Sequence, residues 1–214
     1  MPIDLLDLAE VRVLGTLMEK EATTPEYYPL SLNALVNGCN QKSNRDPVVA
    51  YDSETVETAL EGLRAKKMAL FITGSGRVDK YAQRISETLN LGRRESAILC
   101  TLFLRGPQTL GEIKDRSERM FAFGDLSEVE RTLDKLMTWP DTALVTKLGR
   151  QTGQKEARFA HLFSGEPSPD AAGESAAVSQ PSSRVAQLEY DLQTLRAEFD
   201  ELKSRFERLE SQFQ

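Results

Sequence analysis

Histidine occurs once in the 214-residue chain, tryptophan once and cysteine twice. These scarcities narrow the chemistry. Neither Cys39 nor Cys100 has a second Cys or His at zinc-ligand spacing, so no structural zinc site is expected. The two cysteines fall in predicted helices far apart in sequence, which reads as reduced cytoplasmic thiols rather than a disulfide. His161, in Phe159-Ala160-His161-Leu162-Phe163, is placed on the outward phase of a strand as a partly exposed structural residue. Gly74-Ser75-Gly76 is too short for a phosphate-binding loop and fits a hairpin turn. No catalytic constellation emerges, and neither an enzyme nor a cofactor is expected.

Long apolar runs are also missing. None approaches the roughly 20 residues a membrane span requires. Met1-Pro2-Ile3-Asp4 is acidic and lacks the basic and apolar regions of a signal peptide. The chain is therefore expected to work in the cytoplasm, with no membrane partner. Hydrophobic residues make up 40% and charged residues 28%, the balance of a globular protein long enough for two small domains.

Basic charge is in deficit overall, with a net charge of −6. That excludes indiscriminate coating of nucleic acid. The deficit is uneven. Residues 1–30 carry two basic and six acidic side chains, residues 31–85 eight and six, and residues 165–214 five and ten. A mildly basic centre lies between acidic ends.

Helical periodicity runs from Asp7 to Lys20, with Val11, Leu14 and Met18 on one face and Asp7/Glu10 as a capping box. Ser31 caps a second helix carrying Leu32, Leu35 and Val36. Asp52 or Ser53 caps a third, with Val56, Leu60 and Leu63 inward. Ala69–Thr73 and Val78–Ile85 read as a hairpin.

Three helices and a hairpin then recur. Val56-Glu57-x-x-Leu60-x-x-Leu63 matches Val129-Glu130-x-x-Leu133-x-x-Leu136, 73 residues later. Leu32/Leu35 match Leu110/Ile113. Glu10, Val13, Leu14 and Leu17 match Glu95, Ile98, Leu99 and Leu102, and Leu70-Phe71-Ile72 matches Leu144-Val145-Thr146. Four matches in one order indicate an internal duplication. Thr109/Glu112 and Ser127/Glu130 read as capping boxes in the second copy. Its hairpin is placed at Ala143–Leu148 and Ala157–Phe163.

The fold class predicted is α+β, mainly α with small β-hairpins. It consists of two tandem winged helix-turn-helix domains, at residues 1–88 and 89–163. A flexible linker at 164–183, without Lys or Arg, precedes a coiled-coil helix at 184–214.

The first copy carries about five extra residues between its second and third helices, since Leu35 to Val56 spans 21 positions and Ile113 to Val129 spans 16. Nine consecutive residues there, Asn37 to Arg45, have no aliphatic or aromatic side chain. Asn40, Gln41, Lys42, Ser43, Asn44 and Arg45 are candidate contacts for nucleic acid or a protein partner. The alternative is a hydrogen-bonded turn, in which Asn and Ser cap helices and Arg45 pairs with a carboxylate. Arg64, Lys67, Arg77 and Lys80 extend the basic set. Their plain alternatives are a helix C-terminus complementing its dipole and a soluble edge strand. The outward positions of the third helix, Ser53, Glu54, Glu57, Thr58 and Glu61, are too acidic for ordinary insertion into a major groove. The corresponding second-copy positions are Glu128, Arg131, Thr132 and Asp134.

Leu32-Asn-Ala-Leu-Val-Asn-Gly-Cys-Asn-Gln-Lys-Ser-Asn-Arg-Asp-Pro-Val48 resembles the signature of the YceH family of bacterial proteins. Val56-x-x-x-Leu60-x-x-Leu63 and Arg105-Gly106-Pro107-Gln108-Thr109 are similar to that family as well. The resemblance covers about residues 5–163 and implies two tandem winged helices. It implies no activity and supplies no catalytic residue.

Two functions follow as expectations. One is a nucleic-acid-associated protein touching phosphate through Lys42, Arg45 and the first wing. The other is a scaffold that docks a protein partner on its winged helices.

The C-terminal stretch has its own periodicity. Val185, Leu188, Leu192, Leu195, Phe199, Leu202, Phe206, Leu209 and Phe213 alternate spacings of three and four, the heptad of a coiled coil. With Val185 at position a, Asp191–Arg196, Glu198–Lys203 and Arg205–Glu210 become attractive pairs between parallel strands. The expected state is a parallel homodimer; the alternative is a helix folded back on its own chain. Light scattering should give twice the chain mass for the full chain and one chain mass once residues 184–214 are removed. Equal monomer masses would rule the dimer out.

Overall fold

The computed structural model describes residues 4–72, 79–149 and 156–167. The first hairpin's turn with Arg77, the second hairpin's turn, nearly all of the expected linker and the whole heptad segment, Leu188 to Leu209 included, lie outside them.

The first repeat opens with α1 (Leu8–Thr23). The Asp7 side chain accepts from the Glu10 N–H and the Glu10 carboxylate accepts from the Asp7 N–H, both at 2.8 Å, which closes the expected capping box. A 3-10 turn (Pro25–Tyr27) leads to β1 (Leu30–Ser31) and α2 (Leu32–Cys39). Ser31 caps α2 as expected. Next comes α3 (Ser53–Ala65), whose cap is Asp52. The hairpin β2 (Ala69–Ile72) and β3 (Lys80–Gln83) follows. β1 pairs antiparallel with β3, giving a sheet of order β1-β3-β2. This two-residue strand is too short to leave a period-2 pattern, so the sequence reading omits it.

A single turn, α4 (Ile85–Thr88), bridges to the second repeat. There α5 (Arg93–Arg105), α6 (Leu110–Ser117) and α7 (Leu126–Met137) precede β4 (Val145–Lys147) and β5 (Phe159–His161). The Thr109/Glu112 box forms. The Ser127/Glu130 box does not: Asp125 caps α7, accepting from the Glu128 N–H at 2.8 Å. Asp, like Ser, is a strong N-cap, and Asp125 stands two residues earlier. A bridge between Gln108 and Phe159 repeats, ahead of α6, the position β1 holds ahead of α2.

One continuous apolar core runs through both repeats. Its centre is α1, where ten consecutive residues from Glu10 to Glu19 are buried. A helix covered all round belongs to an interior. α2 and α3 cover one side and α5 the other. Gly15 permits the last approach, since a Cβ there would stand 3.0 Å from Leu104 and Phe103. Among the described residues, no helix is long and apolar enough to cross a membrane.

Each repeat fastens its first helix to its third with a buried carboxylate. Glu10 accepts from Lys66 Nζ at 2.5 and 2.6 Å, and Glu95 from Lys135 Nζ at 2.6 Å. In the repeat alignment, Lys135 corresponds to Gly62, not to Lys66. A Cβ at Gly62 would come within 2.2 Å of Glu10 Oε1. The first repeat therefore leaves that position empty and brings its lysine from a turn later. Burial pushes the Glu95 carboxyl up, but the Lys135 hydrogen bond and charge together with backbone hydrogen bonds more than offset this and hold it below its usual range.

His161 is half-buried, as expected, but its ring faces inward rather than outward. It shares a strand face with Phe159 and Phe163, both buried, and its ring meets Phe103 edge-on with centroids 5.0 Å apart. Nδ1 is buried without a hydrogen-bond partner. Helix α5 covers the strand face that an isolated hairpin would show to solvent.

Burial pushes the His161 imidazole down to about 4. An unfolded histidine titrates near 6.5. Between those values only the unfolded chain takes the proton, so the stability this ring contributes is complete above about pH 6.5 and lost as pH falls towards 4. Replacing His161 with Phe should flatten that loss. Urea unfolding at pH 7 and pH 4 should show the native chain losing roughly 2–3 kcal/mol more than the variant over this window.

Candidate functional site

The polar stretch between α2 and α3 folds inward around its arginine. The Arg45 side chain is 0% exposed. Its Nη1 and Nη2 donate to the two Glu19 carboxylate oxygens at 3.2 and 2.6 Å. Nε and Nη2 donate to the Gly38 carbonyl at 3.1 and 2.8 Å, and Nη1 to the Asn44 carbonyl at 2.8 Å. The fork geometry of guanidinium suits a carboxylate and two carbonyls at once. Arg45 is thus withdrawn from the set of surface phosphate contacts, because α1 presents a carboxylate that a buried cation requires.

A second arginine stiffens the same loop from below. Arg12, on α1, donates to the carbonyls of Cys39 at 3.3 Å and Pro47 at 2.6 Å. Burial, then the nearby charge of Arg45, lowers its proton affinity. Asn40 fixes the far end, donating to the Tyr51 carbonyl at 2.7 Å and accepting from the Tyr51 N–H at 2.8 Å. The Cys39 thiol is buried against Thr16, and burial pushes it up, away from the thiolate. The turn reading of this loop therefore describes Asn40 and Arg45.

The loop then reaches the second repeat. Asn44, at φ 59, is one of the residues that tolerates the left-handed region. Its amide oxygen accepts from Arg105 Nη2 at the end of α5. The Asp46 N–H donates to the Leu104 carbonyl at 2.9 Å. Residues 44–46 thus clasp the two repeats, a role unavailable to the shorter second-copy connection.

The remaining expected contacts are dispersed. Lys42 and Ser43 are exposed on the loop and Gln41 is half-buried. Arg64 is exposed on α3, its guanidinium carbon 4.7 Å from the Phe71 ring centroid on β2. Lys80 opens β3 opposite Ile72 and is exposed. Lys67, at φ 58, is exposed beyond the end of α3. The outward α3 positions Ser53, Glu54, Glu57, Thr58 and Glu61 are exposed as expected. In α7, Thr132 is buried instead, its hydroxyl donating to the Glu128 carbonyl at 2.8 Å.

Sequence reasoning missed the partners supplied by the second repeat. Arg105, Arg116 and Arg119 line a small cavity with Asn44, Glu19 and Thr23. Arg116 and Arg119 stand three apart around the end of α6, a spacing visible in the sequence. Their meeting with the loop depends on α1 packing against α5.

Removing one member of a buried ion pair costs about 3–5 kcal/mol. Arg45→Ala should therefore lower chain stability by an amount of that order, and Glu19→Gln should do the same in part. Lys42→Ala, at an exposed side chain, should leave the unfolding free energy within about 0.5 kcal/mol of the native value. Equal midpoints for Arg45→Ala and Lys42→Ala would contradict the structural role of Arg45.

The family described as "Protein of unknown function, DUF480" matches residues 6–154. A UPF0502 protein of Solibacter usitatus is 62% identical over 161 residues, covering 75% of this chain and 77% of the relative. One from Opitutus terrae is 50% identical over 196 residues, covering 91% and 85%. One from Pelobacter propionicus is 50% identical over 201 residues, covering 91% of each. The matched span holds the loop, its clasp and both helical repeats, and the chain belongs to the DUF480/UPF0502 family, the family of YceH.

Proposed function

We propose that this chain is a non-enzymatic, cytoplasmic, tandem winged-helix protein that associates with nucleic acid by gripping phosphate, as a homodimer joined through its C-terminal heptads. The order of helices and strands supports the winged-helix reading. In the first repeat, α1, β1, α2, α3 and the β2/β3 hairpin follow the order of a winged helix-turn-helix.

One observation carries the nucleic-acid reading. Arg64 lies over the Phe71 ring, which fixes a cation beside the hairpin that also carries Lys80. Lys42 lies on the loop ahead of the same helix. The cations flank α3, whose exposed middle carries Glu54, Glu57 and Glu61. Such a face repels phosphate along the helix axis and attracts it at the ends. It fits backbone contact across a groove rather than base readout.

The acidic middle of α3 favours a second reading, a docking surface for a basic protein segment. The two separate in one measurement on the tagged full chain. Under the first, duplex DNA fragments bind at low salt, and affinity falls steeply as salt rises. The double change Arg64→Ala/Lys80→Ala should reduce the slope of log affinity against log salt by about 2. Under the second, the chain retains a protein and no nucleic acid, and Glu57→Lys/Glu61→Lys releases it. No duplex binding at low salt ends the nucleic-acid reading.

A further inference from the structure

The arginine cavity beside the loop is not used by the reading above. It has a volume of about 40 Å³. Holding one water takes on the order of 10–15 Å³ by this measure, so the space suits one small tetrahedral oxyanion or about three waters. We infer that Arg105, Arg116 and Arg119 bind a phosphate, or a phosphate group carried on a larger molecule, in the seam between the two repeats.

The wall is cationic beyond what its own carboxylates neutralise. Glu19 is the acidic residue lining it, and both its oxygens are occupied by Arg45, with Lys20 Nζ at 3.7 Å. Arg116 shares Glu112 with Arg158, each at 3.4 Å, and also donates to Gln108. Arg105 is turned towards the amide oxygen of Asn44. Asp46 is the other nearby carboxylate, and its charge favours the Arg105 cation. Arg119 is exposed and forms no ion pair among the described residues.

Burial and the neighbouring charge of Arg116 both disfavour the Arg105 cation. An anion between them relieves both effects. Guanidinium forks supply paired N–H donors matched to phosphate oxygens. The anion would also bear on the clasp, because Arg105 is the residue that holds Asn44. Occupancy should therefore stiffen the contact between repeats.

The site is independent of the contacts on α3 and the first hairpin, and its test uses inorganic phosphate on the full chain. Phosphate should raise the thermal midpoint above the value in sodium chloride of equal ionic strength. Isothermal titration should give a saturable one-site isotherm. Arg119→Ala, at an exposed position, should keep the fold and weaken phosphate binding at least tenfold. Arg105→Gln should do likewise and confirm the effect if one variant is unstable. An equal rise in chloride, or an undiminished isotherm in a folded Arg119→Ala chain, overturns the inference. Where phosphate binds, a duplex competition identifies the source. Mutual displacement assigns the site to backbone phosphate; simultaneous binding, or no duplex binding at all, assigns it to free or small-molecule phosphate. Either source upholds the site, and failure of duplex binding touches only the nucleic-acid reading.

Discussion

The buried pair between Arg45 and Glu19 governs the shape of everything around it. A guanidinium removed from water must have its donors met, and five hydrogen bonds do this here. Two go to a carboxylate on α1, two to the end of α2, and one to the loop's own backbone. The loop has little freedom once those bonds are made. Asn44 and the Asp46 N–H are then set facing the end of α5, where they meet Arg105 and the Leu104 carbonyl. A stretch without aliphatic or aromatic side chains thus takes its order from buried polar bonds, those of Arg45 joined by Arg12 below and Asn40 at the far end.

Duplication explains the frame on which this happens, and the departures from duplication explain the site. Both repeats tie first helix to third through a buried glutamate, yet the lysine comes from different turns. Gly62 records the difference, because any side chain there would displace the Glu10 carboxylate. The first repeat has the longer connection between α2 and α3, and only that connection is long enough to cross to the other copy. Because α1 is covered on both sides, the two copies share a core. Neither α1 nor α5 has the single apolar face of a helix on an isolated small domain.

Local chemistry was legible in the sequence, and long-range chemistry was not. The Asp7/Glu10 and Thr109/Glu112 boxes, the Ser31 cap and the inward faces of α3 and α7 follow from spacing alone, since a cap and its helix lie within four residues. The α7 cap was misplaced by two residues because Asp125 and Ser127 are both strong caps and nothing local chooses between them. β1 was invisible because two residues carry no period. The polar surroundings of Arg45 in the sequence fit a surface contact and a turn equally well. Its partner Glu19 lies 26 positions away on another helix, so no local pattern decides. His161 was turned outward because a hairpin alone has an open face, and only the packing of α5 closes it. The heptad segment is legible in the sequence and lies outside the described residues.

Taking Arg45 out of the surface moves the centre of basic charge. Without it, the loop offers only Lys42 to an anion. The cations that stand near the loop in space belong to the second repeat, at Arg105, Arg116 and Arg119. An anion reaching this region meets a surface built by both copies, and it meets it beside the contact that holds the copies together. The insertion in the first repeat is therefore less a finger extended towards a ligand than a wedge that sets Asn44 against the arginines of the second repeat. That view gives the net acidity of the chain a role too. Carboxylates occupy the outward face of α3, at Glu54, Glu57 and Glu61, and leave the cations near the loop to the second repeat.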